Sequence, residues 1–266
     1  MRPWSALVVL VTGALVATLV HEALPALVPR ALPELWGMAF SPPDRFGALG
    51  PLTGSVAVAA LALALAGPVG VGAGIYLGSL AQGTWARLLS GAIDTLTGVP
   101  AVVVGFLATS FLLPVLRVVA PAGGGYGLLP AAVALGVMVV PTVEGFAADA
   151  MRAVPADLVA GSLALGATLE ASVLGVGVAH ARRGLSQAVL LGTGRALGEG
   201  MAVEMLVGNA PHPPALLAPS QTLTSVLVQQ FGLAQPRSLW AHALAVLGIL
   251  VLALAAGVSA LGARRT

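Results

Sequence analysis

Between Arg45 and Arg87 there is no Asp, Glu, Lys or Arg, and most of the interval is Ala, Leu, Val and Gly. About 20 apolar residues carry a helix across the hydrocarbon core of a bilayer. The run Pro51–Leu80 exceeds that, so it must tilt, kink or extend past the lipid. A kink is expected at Gly67-Pro68. The rest of the chain is of the same kind: charged residues make up 8% of its 266 positions, against roughly 25% in a soluble domain. An integral membrane protein is implied.

Five further apolar runs complete the pattern: Trp4–Leu27, Leu88–Val119, Leu128–Ala147, Gln187–Gly208 and Ser238–Leu261. The first follows Arg2 and is longer than the ~7–15 residue core of a signal peptide, so it is expected to be an uncleaved span. Pro-rich Val28–Gly50, the turns at Gln82–Arg87 and Arg117–Gly127, and polar Pro211–Arg237 separate the runs. Six spans place both termini on one side. Seven arginines (Arg2, Arg87, Arg152, Arg182, Arg183, Arg264, Arg265) then fall on the side of the termini and four (Arg30, Arg45, Arg117, Arg237) on the other. The excess predicts cytoplasmic N- and C-termini. The lack of Lys and the richness in Ala, Gly and Arg suggest a GC-rich bacterial genome, so the expectation is one all-α polytopic membrane domain over residues 1–266, in a bacterial cell membrane, with a cytoplasmic insert at 148–186.

What is missing from the chain narrows its chemistry. There is no Lys, so no phosphate-binding P-loop, and no Cys, so no thiol catalysis, Cys-ligated zinc or disulfide. A net charge of +2 gives no argument for nucleic acid. His21-Glu22 has no second His four residues on, so it is not a zinc-protease motif. No metal site is expected.

Against this apolar background, Gly194–Asn209 (GRALGEGMAVEMLVGN) stands out, because Arg195, Glu199 and Glu204 fall inside a span. A charge at mid-membrane costs at least ~2.5 kcal/mol and marks a functional site by default. Arg195 and Glu199, four apart, are expected to share a helix face and pair. Glu204 points elsewhere and has no evident partner. Gly194 and Gly198 form a GxxxG pair, which predicts close approach of another helix. Asp94 and Glu144 are expected to be solvated ends of spans.

The insert is less uniformly apolar. Pro155 suits the first turn of a helix, and Asp157 suits that turn's dipole. Leu158, Val159, Leu163 and Leu165 recur at helical spacing, and Gly166 is a natural stop, so two short helices should meet there. Such an amphipathic insert either lies on the membrane surface or docks into a partner. The pattern Met151-Arg152-Ala153-Val154-Pro155, then Ala164-Leu165-Gly166-Ala167-Thr168, resembles the EAA loop of ABC importer permeases. Arg195–Asn209 resembles the RALGET-M-A-V…GN signature of the phosphate-specific transporter's permease of the PstC kind. Gly98–Phe106 (GVPAVVVGF) and Phe46–Leu77 (FGALGPLTGS…PVGVGAGIYL) are similar to further stretches of that family. Ala160 stands where the family's loop carries Glu, and Ala179 where it carries Pro.

The resemblance implies a type I, MetI-like ABC importer permease that passes phosphate and is not itself an enzyme. It implies a PstA-like second permease, a pair of ATPase subunits holding ATP-Mg, and an extracytoplasmic phosphate-binding protein as partners, besides membrane lipid. This chain itself would carry no cofactor. Arg195 and Glu199 would line the substrate path, and Pro155, Asp157, Leu158, Leu163, Leu165 and Gly166 would form the ATPase-coupling helix. A permease for another oxyanion such as sulfate or molybdate, and a non-transporting scaffold or sensor of the same fold, remain as alternatives.

Overall fold

The computed structural model describes residues 3–27 and 32–263. Arg2, Arg30, Arg264 and Arg265, which enter the orientation count, lie outside the described residues. Helices dominate. In chain order they are α1 (Pro3–Ala23), α2 (Leu32–Leu35), α3 (Leu49–Ile75), α4 (Gly83–Thr97), α5 (Ala101–Leu107), α6 (Leu113–Val119), α7 (Leu128–Arg152), α8 (Ala156–Ala164), α9 (Leu169–Ser172), α10 (Val178–Gly198), α11 (Met201–Val207), α12 (Leu223–Gln230) and α13 (Leu239–Ala263). Single π-helical turns extend α3 (Tyr76–Leu80), join α5 to α6 (Ala108–Leu112) and join α9 to α10 (Val173–Gly177). A two-residue antiparallel hairpin, β1 (Phe40–Ser41) with β2 (Arg45–Phe46), lies before α3.

Four segments among the described residues are long and apolar enough to cross a membrane: Leu49–Leu80, Ala101–Val119, Leu128–Arg152 and Leu239–Gly262. Leu10–Ala26 is a shorter apolar helix. Leu88–Val119, counted as one span in the sequence though interrupted by Gly98, Pro100 and Pro114, divides into separate helices. Pro100 has no N–H to donate and sets extended backbone, so the chain breaks at Gly98–Pro100 and only Ala101–Val119 has spanning character. The amphipathic α4 precedes the break and buries only Ile93. Helix α3, by contrast, runs through Pro68 without ending.

The core forms around α3 and α7, the most extensively packed pair in the fold. Along α3, small residues recur every fourth position at Ala62, Ala66, Gly70 and Gly74, and the repeat continues to Gly78 in the π turn. Residues four apart share one helix face, so this face is a flat strip that lets α7 approach at backbone distance. A Cβ on Gly70 would lie 2.8 Å from Val143 Cβ, one on Gly74 2.5 Å from Ala147 Cβ, and one on Gly78 2.8 Å from the Ala148 carbonyl. On α7 the facing residues Leu135, Val139, Val143 and Ala147 are buried. Glu144, expected to be a solvated end, is buried as well at 7% exposure, because α3 covers that turn of α7.

A second, smaller core joins α1, α12 and α13 to the hairpin. Phe40 and Phe46 meet edge to face at 5.9 Å and pack with Leu223, Val226, Leu244 and Leu247. Helix α10 bridges the two cores through its contacts with α3, α7 and α13.

Replacing Gly74 by Leu forces a side chain into the α3–α7 seam. Overpacking of this kind costs about 1–3 kcal/mol, and thermal denaturation of the detergent-purified protein should register it. A Cβ on Gly72, two residues away, would have nothing within 4 Å, so Gly72→Ala should leave the midpoint equal or raised.

Candidate functional site

The charged segment singled out in the sequence is a broken helix. Helix α10 ends at Gly198, and Glu199 takes extended backbone (φ −76°, ψ 122°) before α11 starts at Met201. The single span expected over Gln187–Gly208 is therefore a long helix starting at Val178 and a short one ending at Val207. At membrane depth such irregular backbone survives only where protein buries it or where it lines a cavity. Here α12 supplies the cover. Thr224 Oγ1 donates to the Glu199 carbonyl at 2.9 Å, which takes up a backbone acceptor freed by the break. A Cβ on Gly200 would lie 2.9 Å from the Val228 side chain, so only glycine fits beneath α12.

The break also separates the two charges expected to pair. Arg195 and Glu199 form no ion pair. Glu199 Oε1 turns forward and accepts from the backbone N–H groups of Met201 (3.1 Å) and Ala202 (3.4 Å) at the start of α11, where the helix dipole favours an anion. Arg195 reaches instead to α7 and donates from Nη1 to Thr142 Oγ1. Its side chain is otherwise exposed on the surface of the subunit. Glu199 lines a crevice of about 10 Å³ with Ser55, Thr222 and Thr224, room for roughly one water. The hydroxyls of Ser55 and Thr222 are already engaged, since Ser55 accepts from Leu223 N at 2.8 Å and Thr222 caps α12.

Glu204, for which the sequence offers no evident partner, has one. Asn209 Nδ2 donates to its carbonyl at 2.8 Å and to Oε1 at 3.3 Å. The left-handed backbone of Gly208 (φ +85°) and Asn209 (φ +52°) turns the amide back over α11. Gln221, 3% exposed, ties this corner to the hairpin by donating to the Phe40 carbonyl at 2.9 Å.

Gly194 and Gly198 do not meet another helix: a Cβ on either would have nothing within 4 Å. The close contacts of α10 are at Gly184, against Ala150, and Gly192, against Val143. Arg195, Gly194 and Gly198 therefore share open surface.

The insert does form two short helices. Pro155 is the residue before α8 rather than part of its first turn (ψ 128°), Asp157 lies in that first turn, and Gly166 takes φ +90°, which a side chain at that position would resist. The stretch 148–186 also takes in the end of α7, which continues to Arg152, and the start of α10 at Val178. No residue of α8 is buried, Leu158 and Leu163 are exposed, and Leu165 is 91% exposed. At the end of α7 an exposed Arg152–Asp149 ion pair of 3.0 Å adds little stability.

Thr142, Thr224 and Asn209 carry the polar contacts of this site, and the sequence singles out none of them as a partner of the charges. Only Asn209, the last residue of the charged segment, is within reach of sequence reasoning. A single Thr on a distant helix gives no such signal.

The fold is that of an ABC transporter's membrane subunit. It matches the solved MetNI methionine ABC transporter in inward-facing conformations, with a TM-score of 0.60 and 21% identity over 85% of this chain and 100% of that one. No family model matches the chain. Curated relatives define the family more closely. The chain is 34% identical to the probable ABC transporter permease protein YqgH of Bacillus subtilis over 80% of this chain and 70% of the relative. To the phosphate transport system permease protein PstC it is 31% identical in Haemophilus influenzae (78% and 72% covered) and 30% in Mesorhizobium japonicum (86% and 77%). The chain belongs to the PstC family of ABC transporter permease proteins.

If Arg195 and Glu199 are held by different helices, their effects on the stability of the assembled protein should add. A double-mutant cycle of Arg195→Gln and Glu199→Gln should show coupling below about 0.5 kcal/mol. A coupling of about 1 kcal/mol or more, of the kind expected for neighbours in contact, would restore the pair.

Proposed function

We propose that this chain is the membrane-spanning subunit of an ABC transporter that brings inorganic phosphate into a bacterial cell. The named role of its PstC relatives supports the substrate. The observation that carries the reading is Arg195, a permanent cation in the last turn of α10, exposed and bound to one hydroxyl rather than neutralised by a carboxylate. A guanidinium donates a planar fork of hydrogen bonds to phosphate and does not deprotonate. With Glu199 engaged on α11, the fork keeps donors for the anion.

The exposed face of Gly194, Arg195 and Gly198 fits against a second, PstA-like permease subunit, so the path would lie between the two chains. The termini lie in the cytoplasm on this reading, and the whole chain acts as one domain. Helix α8, flanked by Pro155 and Gly166, then projects toward the ATPase pair, where ATP-Mg is bound and hydrolysed. Leu158, Leu163 and Leu165 offer an apolar docking surface there, and Asp157 supports the helix start. Movement of α8 passes through α9 and the π turn Val173–Gly177 into α10, whose last turn carries Arg195. An extracytoplasmic phosphate-binding protein delivers substrate on the other face. Catalysis of ATP hydrolysis is not a task of this chain.

Two substitutions test this. Arg195→Gln should cut phosphate uptake by cells roughly 10- to 150-fold, as loss of a charge-assisted contact to the anion would, while the protein still assembles in the membrane. Uptake near the unmutated level would make Arg195 a packing residue. Leu165→Asp should leave the fold intact, because the side chain contacts little, and should abolish stimulation of ATP hydrolysis by the binding protein. Cysteines placed from Pro155 to Gly166 that react only with lipid probes, and never crosslink to an ATPase, would make α8 a surface helix instead.

A further inference from the structure

Between α1, α12 and α13, away from the broken helix, lies a cavity of about 670 Å³. Its walls are apolar, formed by Leu19 of α1, Leu227 of α12 and Leu244 of α13. Thr18 also lines it, but its hydroxyl already donates to the Ala14 carbonyl at 2.9 Å, so it offers mainly its methyl group. The two charges of the cavity are Glu22, at the end of α1, and Arg237, just before α13. Both stand at the same end. At the other end, a Cβ on Gly248 would lie 3.5 Å from Leu19 Cδ2, so α1 and α13 close the floor there.

The depth is informative. From Leu239 to Gly248 the helix rises about 14 Å at ~1.5 Å per residue. One leaflet of a bilayer has about 15 Å of hydrocarbon, half of the ~30 Å core. The charges therefore mark a headgroup level, and the apolar walls run one leaflet deep.

Both charges are available to a ligand. Arg237 makes no hydrogen bond or ion pair among the described residues, and its backbone is left-handed at φ +62°, an uncommon state for a residue with a Cβ. Glu22 lies 3.6 Å from His242 Nδ1. That ring nitrogen is already 2.7 Å from the Glu22 carbonyl, an arrangement in which its N–H donates to the backbone and leaves the carboxylate oxygens free to accept.

We infer that this cavity holds one phospholipid with a primary-amine headgroup, its phosphate on Arg237 and its ammonium on Glu22. One cation and one carboxylate at the mouth match the two charges of a phosphoethanolamine group, and a single acyl chain fills the apolar depth. An anionic glycerol headgroup would satisfy Arg237 and leave Glu22 unpaired. A choline headgroup presents no N–H for Glu22 to accept. The lipid ties α1 to the bundle at a place where protein alone leaves space. The inference rests on α1 and α13 spanning the membrane and is independent of which anion is transported.

The test uses the full chain reconstituted in nanodiscs of phosphatidylethanolamine, phosphatidylglycerol and phosphatidylcholine in equal parts, then extracted in mild detergent for native mass spectrometry. Phosphatidylethanolamine should be retained above its share of the bilayer. Arg237→Ala should reduce its retention about tenfold, as loss of one charge-assisted hydrogen bond does. Glu22→Gln should keep a bound lipid but remove the preference for the amine headgroup over glycerol. Gly248→Leu, which fills the floor, should expel the lipid. Arg237 is exposed, so its removal tests the site even if Gly248→Leu fails to fold. Lipids retained in bilayer proportions, or retention unchanged by Arg237→Ala, would overturn the assignment, as would a crosslink showing the cavity filled by a second permease subunit.

Discussion

The close approach of α3 to α7 is the contact on which the rest of the structure depends. In a bilayer the lipid is as apolar as the side chains, so burial of apolar surface gives little drive for helices to associate, and packing has to supply it. The strip Ala62, Ala66, Gly70, Gly74 supplies it by bringing backbone to backbone. The same seam fixes Val143 and Val139, against which Gly192 of α10 then packs. Helix α10 is thus positioned by the seam, and with it Arg195, whose only described hydrogen-bond partner, Thr142, sits on α7 between Pro141 and Val143.

The break at Glu199 follows from the same arrangement. Helix α10 packs along α7 through Gly184 and Gly192, while α11 is held by α5, α7 and α12. A continuous helix would not satisfy both sets of contacts. Glycines at 198 and 200 lower the cost of leaving helical geometry, Glu199 caps the new helix with its own side chain, and Thr224 takes the freed carbonyl. A break whose backbone groups are satisfied is stable at membrane depth. Discontinuous helices are a recurring way of presenting polar groups to a substrate in transporters, and here the break releases Arg195 from the carboxylate that sequence spacing assigns to it.

Much of the fold is legible in the sequence. Long uncharged runs announce spanning helices because only a helix satisfies its backbone polar groups within one segment in lipid. Gly166 announces the end of α8 because of its left-handed backbone. The resemblance of Arg195–Asn209 to the PstC signature identifies the family. The packing glycines mislead: Gly194 and Gly198 match GxxxG as a pair, yet the working strip is the longer four-residue repeat on α3. The length of the repeat, rather than one instance of it, separates the two. The expected Arg195–Glu199 pair does not form because helical spacing applies only within one helix, and no residue-level propensity locates the break. Glu144 reads as solvated because it lies near the end of a span, and only the tertiary contact with α3 buries it. Thr142 and Thr224 owe their roles to contacts across 53 and 25 residues of sequence, which one sequence does not encode visibly.

Transport itself offers the most direct measurement. The chain, assembled in sealed vesicles with the second permease, ATPases and binding protein proposed for it, should accumulate radiolabelled phosphate only when ATP is supplied on the ATPase side. A large excess of sulfate or molybdate should not slow it. No ATP-dependent accumulation of phosphate, or equal accumulation of sulfate, would contradict phosphate import by this chain.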